Sequence, residues 1–66
     1  MEIRFNKKLY SRKAIEIAIE AYDNLAEFLV TENDEYFLVN ITKVNSEVGD
    51  AIGDEFSNFV LAQIRV

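Results

Sequence analysis

The first apolar and polar alternation of the chain lies at its start. In residues 2–6, Ile3 and Phe5 fall on one side and Glu2 and Arg4 on the other. A period of two is typical of a strand with one face buried and the other open. We therefore predict strand one here.

A second and a third strand follow one another closely. Residues 26–31 alternate again, Asn33 and Asp34 interrupt the pattern, and residues 36–41 form an apolar run. Two strand-like runs separated by short polar residues of this kind are typical of a β-hairpin. Strands two and three are therefore predicted to be antiparallel neighbours.

Between strands one and two the period changes to that of a helix. Ser11 is a favourable N-cap, and the apolar residues after it recur at intervals of three and four. This stripe contains Ala14, Ile15, Ala18, Ile19, Tyr22 and Leu25. The spacing predicts helix one over residues 12–24.

A second helical stripe occupies the last third of the chain, after Ser46. Its apolar members are Val48, Ile52, Phe56, Phe59, Val60 and Ile64. Gly49 and Gly53 disfavour its first turns, because each glycine costs about 1 kcal/mol relative to alanine in a helix. Helix two therefore begins either at Ser46 or near Asp54.

The element order β-α-β-β-α predicts one α+β domain over residues 1–66. The third strand is the most continuously apolar and suits the centre of the sheet, which gives the order 1-3-2 of a split β-α-β unit, half of a ferredoxin-like fold. Two antiparallel helices would then cover one sheet face. The residues expected on that face are Ile3, Phe5, Phe28, Val30, Phe37, Val39 and Ile41.

The opposite sheet face is predicted to be unusually apolar for a surface in water. It carries Leu29, Tyr36 and Leu38 beside Arg4. An exposed apolar patch of this kind marks an interface in many proteins. The sequence therefore predicts that these four residues contact a second copy of the chain or another protein; the alternative is that the apolar ones are scattered residues exposed to water without a partner.

Composition narrows the function classes. The 66 residues are 50% hydrophobic and contain no Cys and no His, so disulfides and histidine-based zinc sites are excluded. Self-association or binding to a partner is the expected source of extra stability. A net charge of −5 argues against nucleic-acid binding. We see no basic start followed by an apolar leader and no membrane-spanning run, so we expect a cytoplasmic protein without membrane contact.

The basic residues are concentrated near the start of the chain. Five of the seven lie in the first 13 positions, while 11 of the 12 acidic residues come later. Arg12 and Lys13 begin helix one, and Glu20 and Asp23 lie near its end. This is the reverse of what the helix dipole favours, so a compensating group outside the helix is expected.

Two interpretations of the basic cluster remain open. The cluster consists of Lys7, Lys8, Arg12 and Lys13 around Ser11. The predicted topology brings it close to Glu32, Asp34 and Glu35, so surface ion pairs would neutralise it. Alternatively, these residues and the N–H groups at the start of helix one receive a phosphate or the carboxylate of a partner.

Nothing in the chain identifies a reaction, a metal site or a cofactor. No Ser lies beside a candidate base, and Asp50, Asp54 and Glu55 lack the alternating oxygen ligands of a calcium loop. Catalysis would need an acidic pocket around these three residues. We therefore predict that the protein is not an enzyme and binds no cofactor.

The residues also resemble a known family. Leu9 and Tyr10 before a helix, a β-hairpin and a last helix with Phe56, Asn58, Leu61 and Arg65 are similar to the HxsD-like small proteins, which accompany radical-SAM proteins of the His-Xaa-Ser peptide-modification system. The resemblance implies a non-catalytic accessory or binding role in peptide maturation. It implies no active-site residues.

Together these patterns predict a small interaction module, dimeric in solution, that binds a protein or a peptide through its open sheet face or a free strand edge. Strands one and two are the edges available. The alternative is a purely structural homodimer in which Leu29 and Leu38 are buried between the two copies.

Overall fold

The element order and the sheet order agree with the sequence prediction. The computed structural model describes residues 1–47 and 49–65. The elements are β1 (Glu2–Asn6), α1 (Arg12–Tyr22), β2 (Glu27–Glu32), β3 (Tyr36–Thr42) and α2 (Ile52–Ile64). β3 lies between β1 and β2 and is antiparallel to both, which confirms the α+β fold with order 1-3-2.

Three of the first four elements differ from their predicted bounds by one or two residues. β1 has the predicted bounds, whereas β2 begins and ends one residue later than predicted and β3 extends one residue further. α1 ends at Tyr22 with Asp23 as its C-cap. The chain turns there because the N–H of Leu25 donates to the carbonyl of Tyr22 at 2.9 Å.

Of the two predicted starts of the last helix, the one near Asp54 is confirmed to within two residues and the one at Ser46 is wrong. α2 begins at Ile52, after a 3₁₀ turn at Gly49–Ala51. Gly49 has φ +58°, a left-handed conformation that cannot continue a right-handed helix. Upstream, the side chain of Asn45 accepts the N–H of Glu47 at 2.9 Å and forms a local turn instead of a helix. Val48, assigned to the helical stripe, lies outside the described residues.

The inward face of the sheet is the predicted one. Phe5, Phe37, Val39 and Ile41 are buried, and Ile3, Phe28 and Val30 are partly buried against them. From the helices, Ala14, Ile15, Ala18, Ile52, Phe56 and Val60 complete this core. Both helices therefore pack on one face of the sheet.

Phe56 is the side chain that joins the two halves of this core. Its ring lies 6.1 Å from that of Phe5 in β1, 4.9 Å from that of Phe28 in β2 and 5.9 Å from that of Tyr22 in α1. It is fully buried. One residue of α2 therefore packs near aromatic rings of both outer strands and of α1.

Gly53 leaves room for the side chain of Met1 beside α2. A Cβ at this position would lie 2.6 Å from the sulfur of Met1 and 3.9 Å from the side chain of Ile3. The glycine that weakens helix propensity therefore allows the Met1 side chain to lie against α2.

None of the helices in residues 1–47 and 49–65 is long and apolar enough to cross a membrane.

Candidate functional site

Strand β2 presents free backbone groups along its outer edge. The N–H of Asn33 donates to Tyr36 at 3.0 Å, and the register pairs Leu29 with Asn40. Because antiparallel pairs alternate, Leu29 points its N–H and C=O at β3, whereas Phe28 and Val30 point theirs away from the sheet. Within residues 1–47 and 49–65, those outward groups have no hydrogen-bond partner.

Strand β1 has the same alternation on the other edge. The N–H of Ile41 donates to the carbonyl of Met1 at 2.7 Å, and the amino group of Met1 donates to the carbonyl of Ile41 at 3.0 Å. The N–H of Lys7 donates to the carbonyl of Glu35 at 2.9 Å. The odd-numbered residues of β1 therefore face β3. Glu2 and Arg4 point their N–H and C=O groups outward, and neither residue's backbone is bonded elsewhere in the described chain.

A groove runs beside the free edge of β2, between that strand and α1. It has a volume of about 440 Å³. We call it the α1–β2 groove, and it is lined by Arg12, Lys13, Glu16, Ile17, Ile19, Glu20 and Val30. A second hollow shares Ile19 and continues past Asp23 and Phe28. Free backbone groups and half-buried apolar side chains therefore lie together along β2.

The edge of β1 has polar surroundings instead. The side chains of Glu2, Arg4 and Asn6 stand beside its free backbone groups on the open sheet face. The guanidinium carbon of Arg4 lies 5.9 Å from the centre of the Tyr36 ring. At the end of the strand, the carbonyl of Asn6 is already occupied by two turn N–H groups, at 2.9 and 3.0 Å. The free backbone groups of β1 therefore lie beside charged and polar side chains.

Glu32, at the end of β2, supplies the charge that compensates the start of α1. Its carboxylate accepts from the Nζ of Lys7 at 2.9 Å and from the guanidinium of Arg12. The hydrogen bond from Lys7, aided by the charges of Lys7 and Arg12, holds the pKa of Glu32 below its usual range. Two of the four basic side chains of the cluster are thus neutralised.

The other members of the basic cluster have separate surroundings. Ser11 is the N-cap of α1, and its Oγ accepts the N–H of Ala14 at 3.1 Å. Lys8 shares a hollow with Asp34 and Glu35, while Lys13 lines the α1–β2 groove. No carboxylate lies within 4.0 Å of Lys8 or Lys13 in the described part of the chain.

The predicted apolar patch is interrupted by polar neighbours. Leu29 is 63% exposed, whereas Tyr36 and Leu38 are half-buried. Leu38 stands opposite Arg4 on one side, and Leu29 is paired with Asn40. The large side chains of this face are therefore not direct cross-strand neighbours.

The four family-like positions of α2 separate into two groups. Phe56 is in the core. Asn58, Leu61 and Arg65 lie on one side of the helix and line a shallow hollow with Ala62. The structure thus brings three of the four positions together on the surface.

Asp50, Asp54 and Glu55 are exposed near the start of α2. Among the residues that the structure describes, no group of three or more His, Cys, Asp or Glu side chains is placed to hold a metal ion.

The α1–β2 groove was missed from the sequence, although a signal for it was present. Lys13, Glu16, Ile17 and Glu20 are spaced three or four residues apart, so they share one side of α1 away from the core stripe. Ile17 is half-buried on this polar side and is not packed against the core. An apolar residue on this side of the helix was the sequence feature that could have indicated a binding surface.

Comparisons with known proteins add no relatives. No model of a protein family, no curated protein and no solved structure matches the chain.

Proposed function

We propose that the protein is a non-catalytic module that binds an extended segment of another protein or a peptide at the outer edge of β2. The segment adds to the sheet as a fourth, antiparallel strand. The observation that carries this proposal is the free N–H and C=O of Phe28 and Val30 beside the apolar part of the α1–β2 groove.

Strand addition uses both features of this edge. Backbone hydrogen bonds to Phe28 and Val30 give affinity that does not depend on sequence, while alternate side chains of the ligand fill the groove and give specificity. One set of ligand side chains would face Ile17 and Val30. The other would lie on the open face beside the exposed Leu29.

An antiparallel direction suits this sheet. Both existing pairings are antiparallel, and such pairs are slightly more stable per residue than parallel ones. Phe28 and Val30 each direct both backbone groups outward, so each can exchange two hydrogen bonds with one residue of an antiparallel ligand.

The residues around the groove support binding without chemistry. The chain contains no His or Cys, and the described residues that line the groove include no hydroxyl side chain. The resemblance to HxsD-like proteins, which implies an accessory role in peptide maturation, fits the same class of ligand.

Homodimerisation remains a second proposal, on a different face. The exposed side chain of Leu29 favours a contact through the open sheet face with Tyr36, Leu38 and Arg4. A purely structural dimer would use this face and leave the α1–β2 groove without a ligand.

The proposal is tested with a peptide selected from a random nonapeptide library displayed on phage. A chain of 66 residues can be synthesised chemically with a single N-methyl group on the Val30 amide, which removes one outward N–H and keeps the side chain. The matched control carries the N-methyl group on the Arg4 amide, which points outward from β1.

We expect the Val30 N-methyl chain to bind the selected peptide at least tenfold more weakly, because a strand can no longer bond along β2. The Arg4 N-methyl chain should bind like the unmodified protein. Equal binding by all three chains, or failure of the library to yield any binder, would contradict strand addition at β2.

A further inference from the structure

Helix α1 carries its charges against its own dipole. Its first turn contains no acidic residue and its last turn no basic one. The positive end of the dipole therefore coincides with Lys13, and the negative end lies near Glu20. α2 has the usual arrangement, with Asp54 and Glu55 in its first turn. The side-chain charges and the dipole of α1 therefore add to each other, so the electrostatic potential is positive at its start and negative at its end.

This polarity is directed into the α1–β2 groove. Lys13 and Glu20 line it two turns apart on α1. Arg12 and Glu16 also line it, but they approach each other at 3.6 Å and Arg12 is bound to Glu32 as well. Lys13 and Glu20 have no oppositely charged partner within 4.0 Å in residues 1–47 and 49–65.

We infer that the groove selects a bipolar strand, and this inference rests on the proposed addition of a ligand strand to β2. The ligand carries an acidic side chain for Lys13, a basic side chain for Glu20, and an apolar side chain between them that lies beside Val30 and Ile17. It is an extended peptide segment with alternating charged and apolar positions on one face.

The spacing of the two ends fits such a segment. Lys13 and Glu20 are seven residues apart, which is about 10 Å along a helix. Ligand residues i and i+4 share one face of a strand and lie about 13 Å apart. Flexible Lys and Glu side chains span the difference. The apolar residue therefore falls at i+2.

The contact between α1 and β2 also determines the order of the charges. Arg12 binds Glu32, so the start of α1 lies at the end of β2. An antiparallel ligand enters at that end, next to Lys13, and leaves next to Glu20. Read from its N-terminus, the ligand is therefore acidic, x, apolar, x, basic.

Two synthetic heptapeptides with the same composition test this order. One is Thr-Asp-Thr-Val-Thr-Lys-Thr and the other is Thr-Lys-Thr-Val-Thr-Asp-Thr, and each is titrated into the protein while the amide NMR signals of Phe28 and Val30 are followed. The Lys13→Glu and Glu20→Lys double variant is the matched protein, because it reverses the groove and keeps the net charge.

The unmodified protein should bind the acidic-first peptide at least threefold more tightly, which is the scale of two exposed charge pairs between α1 and the ligand. The double variant should prefer the other peptide by a similar factor. Equal binding of both peptides, with shifts at Phe28 and Val30, would overturn the charge selection and leave strand addition intact. No shift with either peptide would overturn the inference, and the phage-selected peptide would then decide strand addition separately.

Discussion

The two outer strands of the sheet are alike in their backbone and opposite in their surroundings. Both leave N–H and C=O groups free, at Glu2 and Arg4 in β1 and at Phe28 and Val30 in β2. The residues with free groups in β1 point their side chains to the open face and are charged. Those in β2 point theirs towards the helices and are apolar.

This difference follows from register. β1 forms its hydrogen bonds with the odd-numbered residues of β3, and β2 forms its bonds with the even-numbered ones. The residues with outward backbone groups therefore have side chains on the polar face in β1 and on the core face in β2. Charged side chains along an edge are a common protection against unwanted pairing. In β2, the side chains of Phe28 and Val30 are apolar, and the nearby charges belong to Glu32 at the strand end and to α1 across the groove, which suits a strand that receives a ligand.

The largest expected effect is a loss of stability that involves both outer strands. Phe56→Ala removes the ring that touches β1, β2 and α1, and we expect it to lower the free energy of unfolding by about 3–5 kcal/mol. Urea unfolding followed by circular dichroism measures this change. Phe59→Ala is the control, because Phe59 is only half-buried, and it should cost clearly less. Equal losses would contradict the central position of Phe56.

A pair of proline substitutions sharpens the assignment of the free groups in β2. Thr31→Pro removes an N–H that points at β3 and should destabilise the protein by about 1–3 kcal/mol more than Val30→Pro, whose N–H points outward. The midpoint of urea unfolding reports the difference. If Val30→Pro were the more damaging change, the outward groups would be misassigned.

Reversal of the groove charges should stabilise the free protein. Lys13→Glu with Glu20→Lys places each charge at the end of α1 that its dipole favours, and the gain should be about 0.6–2 kcal/mol. Thermal unfolding at low salt measures it, and high salt should reduce it. A loss of stability would show that the present charges contribute contacts to the fold, and would remove the reason to regard them as a binding feature.

The smallest expected effect concerns Glu32, which joins the end of β2 to Lys7 and Arg12. Its pKa is lowered in the folded protein, so its stabilisation is complete above the ordinary carboxyl pKa of 4.5 and is lost as the pH falls below it. Thermal unfolding between pH 7 and pH 3 should show a smaller acid loss for Glu32→Gln than for the unmodified protein. Glu35→Gln is the control, and an equal change in both variants would contradict the role of Glu32.

The sequence predicted the architecture because the alternation of the strands and the helical spacing of apolar residues were both clear. The alternation at Ile3 and Phe5 and the continuous apolar run of β3 were sufficient for the bounds of β1 and for the sheet order. The start of α2 was predicted only as one of two alternatives, because the left-handed Gly49 and the Asn45 turn break the stripe without changing its spacing.

The candidate site was harder to predict, because it depends on register. The sequence named β1 and β2 as edges but not which residues point their backbone groups outward, since this is decided by the pairing with β3. The unusual charges of α1 were visible at Lys13 and Glu20. Their place in a groove beside Val30 appears only when α1 packs on the sheet.

The most direct measurement is amide hydrogen exchange, residue by residue, with and without the phage-selected peptide. The peptide should slow exchange at Phe28 and Val30 and leave Glu2 and Arg4 unchanged, because only the free groups of β2 gain partners. Slowed exchange at Glu2 and Arg4, or no slowing on either edge, would contradict the central claim that β2 receives the added strand.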